Sequence, residues 1–555
     1  MLNIEEIKLL RAVGQKEHLS KIKLPNKYEL YILNLLKRSR FLVGKELVTL
    51  LKSEFAVKDD YARKILQRAV AENFITSSSP VTFGYGQFAY LQPGTVLTYQ
   101  MVKQICKENR PPLYRLMMAM DINNGIISYY EGLKVTSAPE EPTSSKVNTL
   151  NQLVDVLSKM EFVYEKNDEN GVKYIIVKTS NVELGDIEEA ALMAGHFNKM
   201  IIDCMFIPDI LRWLRKSNLI DNIQFLYRNK KTPSIGAEQN SLVWDALAYT
   251  KTTGINPTLG AEATTIDKQT FVPLDIVIHR PYEQVDLDGF YNRVQIVINS
   301  VKTTVRKVLP IVIYRDASEL IINSLSKLGF LAFNISSIFG TRIHEVITKF
   351  SEIQIGMDPD EDDIQKTVTS ILSTLKSAGQ DDNLKDLKGT LFEFLLYPVL
   401  KTFYPNAEII HGKTLSEKRS GEEKEYYEYD YIIKSSNPKE IVIVELKGYS
   451  SHAHIALGDT NTKNTLRWFF RKTLPFAQKY FKKEIQEGAH FAASFITPAG
   501  YYDDGSEFLQ KISNSALKPK KFEISYDGQR LLKMLEDNDF DKIKATVEKF
   551  YSKPE

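Results

Sequence analysis

The chain of 555 residues has little cysteine, only Cys106 and Cys204. Two thiols cannot build a disulfide framework or a four-thiolate zinc site. Net charge is also missing: 72 Lys+Arg stand against 70 Asp+Glu, a formal +2. That excludes a wholesale polyelectrolyte binder, so nucleic-acid contact has to come from local basic patches. No unbroken apolar run approaches the roughly 18 residues of a membrane span. The opening MLNIEEIKLL is acidic and lacks the basic n-region of a secretory signal. These absences lead to the expectation of a cytoplasmic protein with no membrane partner. The eight histidines form no metal-ligand spacing beyond His452-x-His454. What the chain does have is an ordinary globular composition and enough length for about three to four domains.

The first organised segment spans residues 24–92, within a domain expected over 1–97. Asn26 precedes KYELYILNLLKRS, whose apolar residues recur at helical spacing. VGKELVTLLKSEF is a second helix, and DDYARKILQRAVAENF a third with Asp59 as its N-cap. Two β-prone runs in FITSSSPVTFGYGQFAYLQP follow. Three helices and a hairpin predict a winged helix-turn-helix. On the third helix Ala62, Ile65, Leu66, Ala69 and Val70 form the buried stripe, and Arg63, Lys64, Gln67 and Arg68 the other side. Arg and Gln there can hydrogen-bond base edges. The bland alternative is a solvated face on a protein-interaction module. A weaker copy is expected over 98–184, with a hairpin closing at Asn170-Gly171. Its last helix carries Asn148, Asn151, Gln152 and Asp155, which favours a structural or protein-facing role.

Residues 185–356 mix helices with two apolar strands, VPLDIVIH and VLPIVIYR, and predict a central α/β domain. LDIVIH around Asp275 parallels YDYIIK around Asp430; a helix containing Trp244 is expected before the first, and one containing Glu393 before the second. The parallel raises a degenerate second copy of the C-terminal fold, although no acid-x-lysine follows Asp275. Residues 357–384, with MDPDEDD and KSAGQDDN around a short helix, are expected to be a linker.

The chemistry concentrates in residues 385–555. KGTLFEFLLYPVLKTFY predicts an amphipathic helix. NAEIIHG, YYEYDYIIK and IVIVELKGY predict strands, the first two separated by the polar loop KTLSEKRSGEEKE. KNTLRWFFRKTLPFAQKYF predicts a helix up to about its proline, and AHFAASFITP another strand. In a strand, Glu445 and Lys447 share one face and Leu446 takes the other. Two charges ending a buried strand are costly without partners, and Asp430 on the neighbouring strand supplies one. Converging carboxylates make a hard oxygen site suited to Mg²⁺. Lys447 then orients or helps deprotonate a water, and Glu393 adds a third carboxylate. Lys463, Arg467 and Arg471 recur every four residues with Lys472 beside them, a stripe that in a nuclease would neutralise phosphates and otherwise is a solvent-facing surface.

This constellation resembles the PD-(D/E)xK, or restriction-endonuclease-like, nuclease superfamily. Asp430 matches its catalytic Asp, Glu445-x-Lys447 its (D/E)-x-K, and Glu393 its frequent helical Glu. Tyr429 stands where the family name has proline, and Glu428 shares the strand parity of Asp430. The resemblance implies an α/β nuclease domain behind N-terminal winged helices, and a Mg²⁺-dependent endonuclease acting on double-stranded DNA, with Mn²⁺ substituting. It implies catalytic roles for Asp430, Glu445, Lys447 and Glu393, the three acids holding metal. The layout is similar to type IIS restriction enzymes and to bacterial defence nucleases. One site cuts one strand, so double-strand cleavage implies a homodimer or sequential nicking. A partner methyltransferase or ATPase is left open. The competing expectations are a non-catalytic DNA-binding or scaffolding protein with a relic nuclease fold, and an RNA nuclease.

Overall fold

The structure, a computed structural model, describes residues 24–84, 86–141, 147–178, 183–221, 225–251, 269–300, 307–352, 361–417 and 425–552. Residues 1–10, read above for a signal sequence, lie outside them, as do 357–360 of the acidic run and 418–424 of the polar loop. The chain forms two compact units: residues 1–119 with 151–162, and residues 120–150 with 163–555. The stretch 98–184 contributes to both.

In the first unit α1 (Lys27–Arg38), β1 (Leu42–Val43), α2 (Gly44–Phe55), α3 (Asp59–Ala71), β2 (Thr76–Ser77) and β3 (Ala89–Leu91) follow in order. The strands make an antiparallel sheet ordered β1-β3-β2. Asn26 starts α1 through a capping box with Glu29, which satisfies donors the first turn leaves free. Ala62, Ile65, Leu66 and Ala69 pack on Ile32, Leu36, Leu47 and Leu51, with Val70 half-buried at the edge. Asp59 is not the N-cap. Lys58 occupies that position without a side-chain cap, and Asp59, the first helical residue, pairs with Lys52 at 2.6 Å. An acid in the first turn gains from the helix dipole without capping.

The second unit begins with β4 (Ile126–Ser128), α4 (Tyr129–Thr136), β5 (Val163–Asn167) and β6 (Lys173–Val177). These strands form an antiparallel sheet ordered β4-β6-β5, and Gly171 at φ +76° turns the β5–β6 hairpin. Then come α5 (Asp186–Met205), α6 (Ile207–Lys216), β7 (Leu226–Tyr227), the hairpin β8 (Ala237–Gln239) with β9 (Leu242–Trp244), β10 (Ala246–Thr250), β11 (Thr270–Val277), α7 (Gln284–Ser300), β12 (Ile311–Tyr314), α8 (Glu319–Lys327) and β13 (Leu331–Asn334). The C-terminal part holds α9 (Lys385–Phe403), β14 (Glu408–Glu417), β15 (Glu425–Ser436), β16 (Lys439–Leu446), β17 (His454–Ile455), β18 (His490–Ile496), β19 (Gly500–Tyr501) and β20 (Ser525–Tyr526).

Two five-stranded sheets dominate, and they have the same plan. One is ordered β7-β10-β11-β12-β13, the other β14-β15-β16-β18-β20. In each the first two pairings are antiparallel and the last two parallel. The parallel steps need crossovers, which the intervening helices supply. One continuous core serves both: Ala246, Leu274, Ile276 and Ile313 of the central sheet and Tyr431, Ile433, Val442 and Leu446 of the other belong to it.

That shared core changes several expectations. The helix α9 is not amphipathic, because Leu387, Leu391, Phe392, Phe394, Leu395, Leu396 and Val399 are all buried. A helix apolar on every side belongs between layers rather than on a surface. Residues 361–377 of the expected linker form the helix Glu361–Ser377, whose Ile364, Val368, Ile371, Leu372 and Leu375 enter the same core. Trp244 lies on strand β9, paired with Ala237, and not on a helix. The apolar run around it is too short to carry a helical period, and the helices that precede the central sheet are α5 and α6. Together Asp186–Lys216 are long and apolar enough to cross a membrane by length and composition, and 56% of the apolar window is buried inside the protein.

Candidate functional site

The site grows from the pairing of β15 with β16. Tyr431 lies opposite Val444. One rung further out, the same register sets Asp430 against Glu445. Opposed residues in an antiparallel pair stand about 4.5–5.5 Å apart at Cα. Asp430 is tied there by its Oδ2, which accepts the Leu446 N–H at 2.7 Å. Leu446 points into the core beside α9, while Ile441 and Ile443 pack in a separate cluster on the opposite face. Glu445 and Lys447 follow that second parity and meet at 2.6 Å. The Lys447 backbone is clamped to β18 by its N–H to Ile496 O and by Thr497 Oγ1 donating to its carbonyl.

Glu393 reaches the same place from α9, because the chain after Lys447 passes close to that helix. Gly448 makes the approach possible: a Cβ there would lie 2.6 Å from Phe392 Cβ and 3.1 Å from Gly389 Cα. Glu393 pairs with Lys230 at 2.9 Å and with His411 of β14 at 3.2 Å. Asp430, Glu445 and Lys447 thus share one corner of the sheet, and Lys231 links Glu393 to it, interacting with Asp430, Glu393 and Glu445 together. Glu428, two residues along β15, accepts both its bonds from Asn229.

Burial, and then the facing Asp430 carboxylate, raises the Glu445 pKa against the pull of Lys447 and Lys231. Two crowded carboxylates on buried strands are a donor set that a hard divalent ion would relieve. Burial works against the charge of Lys447, but Glu445 and Asp430 raise its pKa and keep it an ammonium. Burial likewise opposes ionised Glu393, yet Lys230, His411 and Lys231 hold its carboxyl well below the usual range.

Asn229, Lys230 and Lys231 were missed from sequence. They follow β7 in the central sheet, about 200 residues upstream, and the pair of lysines carries no motif. Lys231 Nζ stands 2.5 Å from Asp430 Oδ1. Among the described residues no group of three or more His, Cys, Asp or Glu is arranged to hold a metal, and two of the acids here are paired with lysines, Glu393 with Lys230 and Asp430 with Lys231.

Arg63, Lys64, Gln67 and Arg68 are exposed on α3 of the first unit. Lys463, Arg467, Arg471 and Lys472 are exposed too, but they do not form one helical stripe. Lys463 precedes the helix, which starts at Leu466 behind the Thr465 cap; Arg471 and Lys472 sit in a π-helical turn, Phe469–Thr473. The helix then continues beyond Pro475 to Tyr480, since proline is tolerated in a first turn.

The central sheet carries a matching corner. Ala246 pairs with Leu274, so the register sets Asp245 against Asp275, and Ile276 N donates to Asp245 Oδ2 at 2.7 Å. Position 277, which corresponds to Lys447, is valine. An ammonium arrives instead from α4: Lys134 Nζ lies 2.5 Å from Asp245 and 3.3 Å from Asp275. Arg228 and Tyr130 also bind Asp245, and Arg293 and Tyr282 bind Asp275. Both acids are fully buried.

No protein-family model matches the chain, and no curated protein or solved structure matches it either.

Proposed function

We propose that the chain is a Mg²⁺-dependent DNA endonuclease of the PD-(D/E)xK type, cytoplasmic, with α3 of a winged helix-turn-helix meeting DNA, in restriction or defence against phage. The observation that carries this reading is the convergence of Asp430, Glu445, Lys447 and Glu393 at one sheet corner from a strand pair and a helix. In this reading Asp430, Glu445 and Glu393 would hold the ion. Bound there, it supplies Lewis-acid stabilisation of charge developing on a phosphodiester. Lys447, paired with Glu445 at 2.6 Å, would orient or help deprotonate the attacking water and face the phosphate as a cation. Arg467, Arg471 and Lys472 offer exposed charge for the flanking phosphates. The central sheet is proposed as the degenerate second copy, its acids neutralised for good by Lys134, Arg228 and Arg293.

The test is conversion of supercoiled plasmid by the full chain with Mg²⁺, with and without chelator, alongside Glu445→Ala. Nicking or linearisation that needs both the ion and Glu445 is the expected outcome. A second reading, a relic fold on a DNA-binding scaffold, draws on the ion pairs that Lys230 and Lys231 make with the acids. It expects DNA retention with no strand scission under any metal.

A further inference from the structure

Three consecutive residues of one turn each hold a different acid of the corner. Asn229 Nδ2 donates to both Glu428 oxygens at 2.9 and 3.0 Å. Lys230 Nζ donates to both Glu393 oxygens at 2.9 and 3.0 Å and to Thr390 Oγ1 at 2.7 Å. Lys231 Nζ donates to Asp430 Oδ1 at 2.5 Å. The turn is built for its position: Lys231 N–H bonds Asn229 Oδ1, and Thr232 N–H bonds Asn229 O. Lys231 packs against Gly412 of β14, at φ +64°, where a Cβ would lie in ordinary contact 3.5 Å from Lys231 Cγ.

Two ammonium groups bring the charge of one divalent cation to the carboxylates that would bind it. Mg²⁺ sits about 2.0–2.1 Å from its oxygens. An ammonium already 2.5 Å from Asp430 Oδ1 would then crowd the ion on the same oxygen, cation against cation. The turn and the metal exclude each other. The Lys230 and Lys231 side chains are mostly covered yet reach solvent, 19% and 11% exposed, and the segment hangs from β7, an edge strand two residues long that pairs with β10. Arg228 before it and Pro233 after it are fixed, the Arg228 guanidinium bonding Pro233 O and Asp245.

We propose that the Asn229–Lys231 turn is an autoinhibitory plug, a built-in cation that holds the acidic corner closed until a divalent ion displaces it. Once released, the two lysines are free for substrate phosphates. The proposal rests on the nuclease reading of the corner.

Mn²⁺ binding to the full chain, followed by loss of the free-ion electron paramagnetic resonance signal, tests it without any cleavage. Lys230→Met with Lys231→Met is expected to tighten Mn²⁺ binding at least about tenfold, because it removes nearby like charge. Asn229→Ala, which loosens the turn and keeps both charges, is expected to tighten it less. Equal or weaker binding in the double variant overturns the plug while leaving the metal site standing. If neither wild type nor the double variant binds Mn²⁺, both the plug and the nuclease reading fall. A measurement on the unaltered chain guards against misfolded variants. Amine-reactive footprinting read by mass spectrometry should find Lys230 and Lys231 labelled faster in saturating Mn²⁺ than in chelator. In Glu445→Gln the difference should shrink. Labelling that ignores the ion in wild type overturns the plug.

Discussion

The two corners share a sheet plan, an acid pair on the same rung and the same backbone N–H on the first acid, yet they are filled in opposite ways. At the central corner Asp245 and Asp275 are fully buried and receive Lys134, Arg228, Arg293, Tyr130 and Tyr282. Burial opposes the ionised Asp245, but Lys134 and Arg228 lower its pKa. At the C-terminal corner Glu445 and Lys447 keep 14% exposure each, and burial and Asp430 raise the pKa of Glu445. Opposite the first acid, where the β7 and β14 registers continue, stand Arg228 in one copy and Gly412 in the other. One corner is sealed by its own cations. The other also receives cations, Lys230, Lys231 and Lys447, but keeps partial exposure and one carboxylate, Glu445, whose pKa is raised. A carboxylate whose pKa is raised at a partly exposed corner points to function, whereas fully buried acids whose pKa is lowered by fixed cations fit a structural network.

The sharpest way to break this contrast is to remove the equivalent acid from each copy. Glu445→Ala, and Lys447→Ala with it, should lower plasmid cleavage by at least about 10²–10³-fold while DNA retention in a gel-shift assay stays within about twofold. Asp275→Ala should do the reverse. It strands Arg293 and part of Lys134 in the interior, a loss of about 3–5 kcal/mol by chemical denaturation, while cutting per folded molecule holds. Wild-type cutting by Glu445→Ala would remove the roles assigned at the C-terminal corner.

Next in size is an attempt to turn the open corner into the sealed one. Gly412→Arg copies Arg228 onto β14 and points a guanidinium at Asp430. Cleavage should fall at least about tenfold, on the scale of a close opposed charge. The left-handed backbone at position 412 adds about 1–2 kcal/mol of strain. Gly412→Ala carries a like strain without the charge and should retain cutting, so the pair of variants separates charge from backbone.

How much of this was legible in the sequence depended on whether the signal was local. Glu445-x-Lys447 stands at the end of a β-branched run, and strand parity alone fixes which side it faces. Asp430 could be preferred over Glu428 because an apolar strand begins at once after it. The buried stripe of α3 is likewise a matter of spacing within one helix. Lys134 and Lys231 serve as corner cations, but each comes from a distant element and is placed by packing and not by pattern. The same holds for α9. Its apolar residues on all sides mark a buried helix, yet only the shared core of the two sheets says what buries it. Trp244 misled because a short apolar run has no clear period.

A smaller effect comes from the two close helix approaches. Gly448→Val forces a side chain against Phe392 and should shift α9, and Glu393 with it, costing about 1–3 kcal/mol and several-fold in cutting. Gly289 plays the same part at the other corner, since a Cβ there would lie 2.9 Å from Lys134 O and Val135 Cα. Gly289→Val should cost similar stability and leave cutting per folded molecule alone. Equal losses of activity in the two variants would mean that the central corner is coupled to catalysis after all.

The smallest difference lies in acid, and its sign follows from the two kinds of carboxylate. Against the cost of burial, neighbouring cations depress the pKa values of Asp203, Asp245 and Asp286. Such groups bind fewer protons folded than unfolded near pH 4, so their stability is present above the unfolded carboxylate pKa and is lost as pH falls through the folded one. Glu445 runs the other way: its raised pKa makes the folded state hold a proton longer, so its contribution falls as pH rises through that pKa. Asp245→Asn should therefore lose most against wild type at pH 7 and progressively less as pH falls below the unfolded carboxylate pKa. Glu445→Gln should match or exceed wild-type stability at pH 7, and the two should converge in acid. Melting temperatures measured from pH 7 to pH 3 read both slopes. A Glu445→Gln variant that is less stable at pH 7 would mean the C-terminal acid is as settled in its salt bridges as its central counterpart.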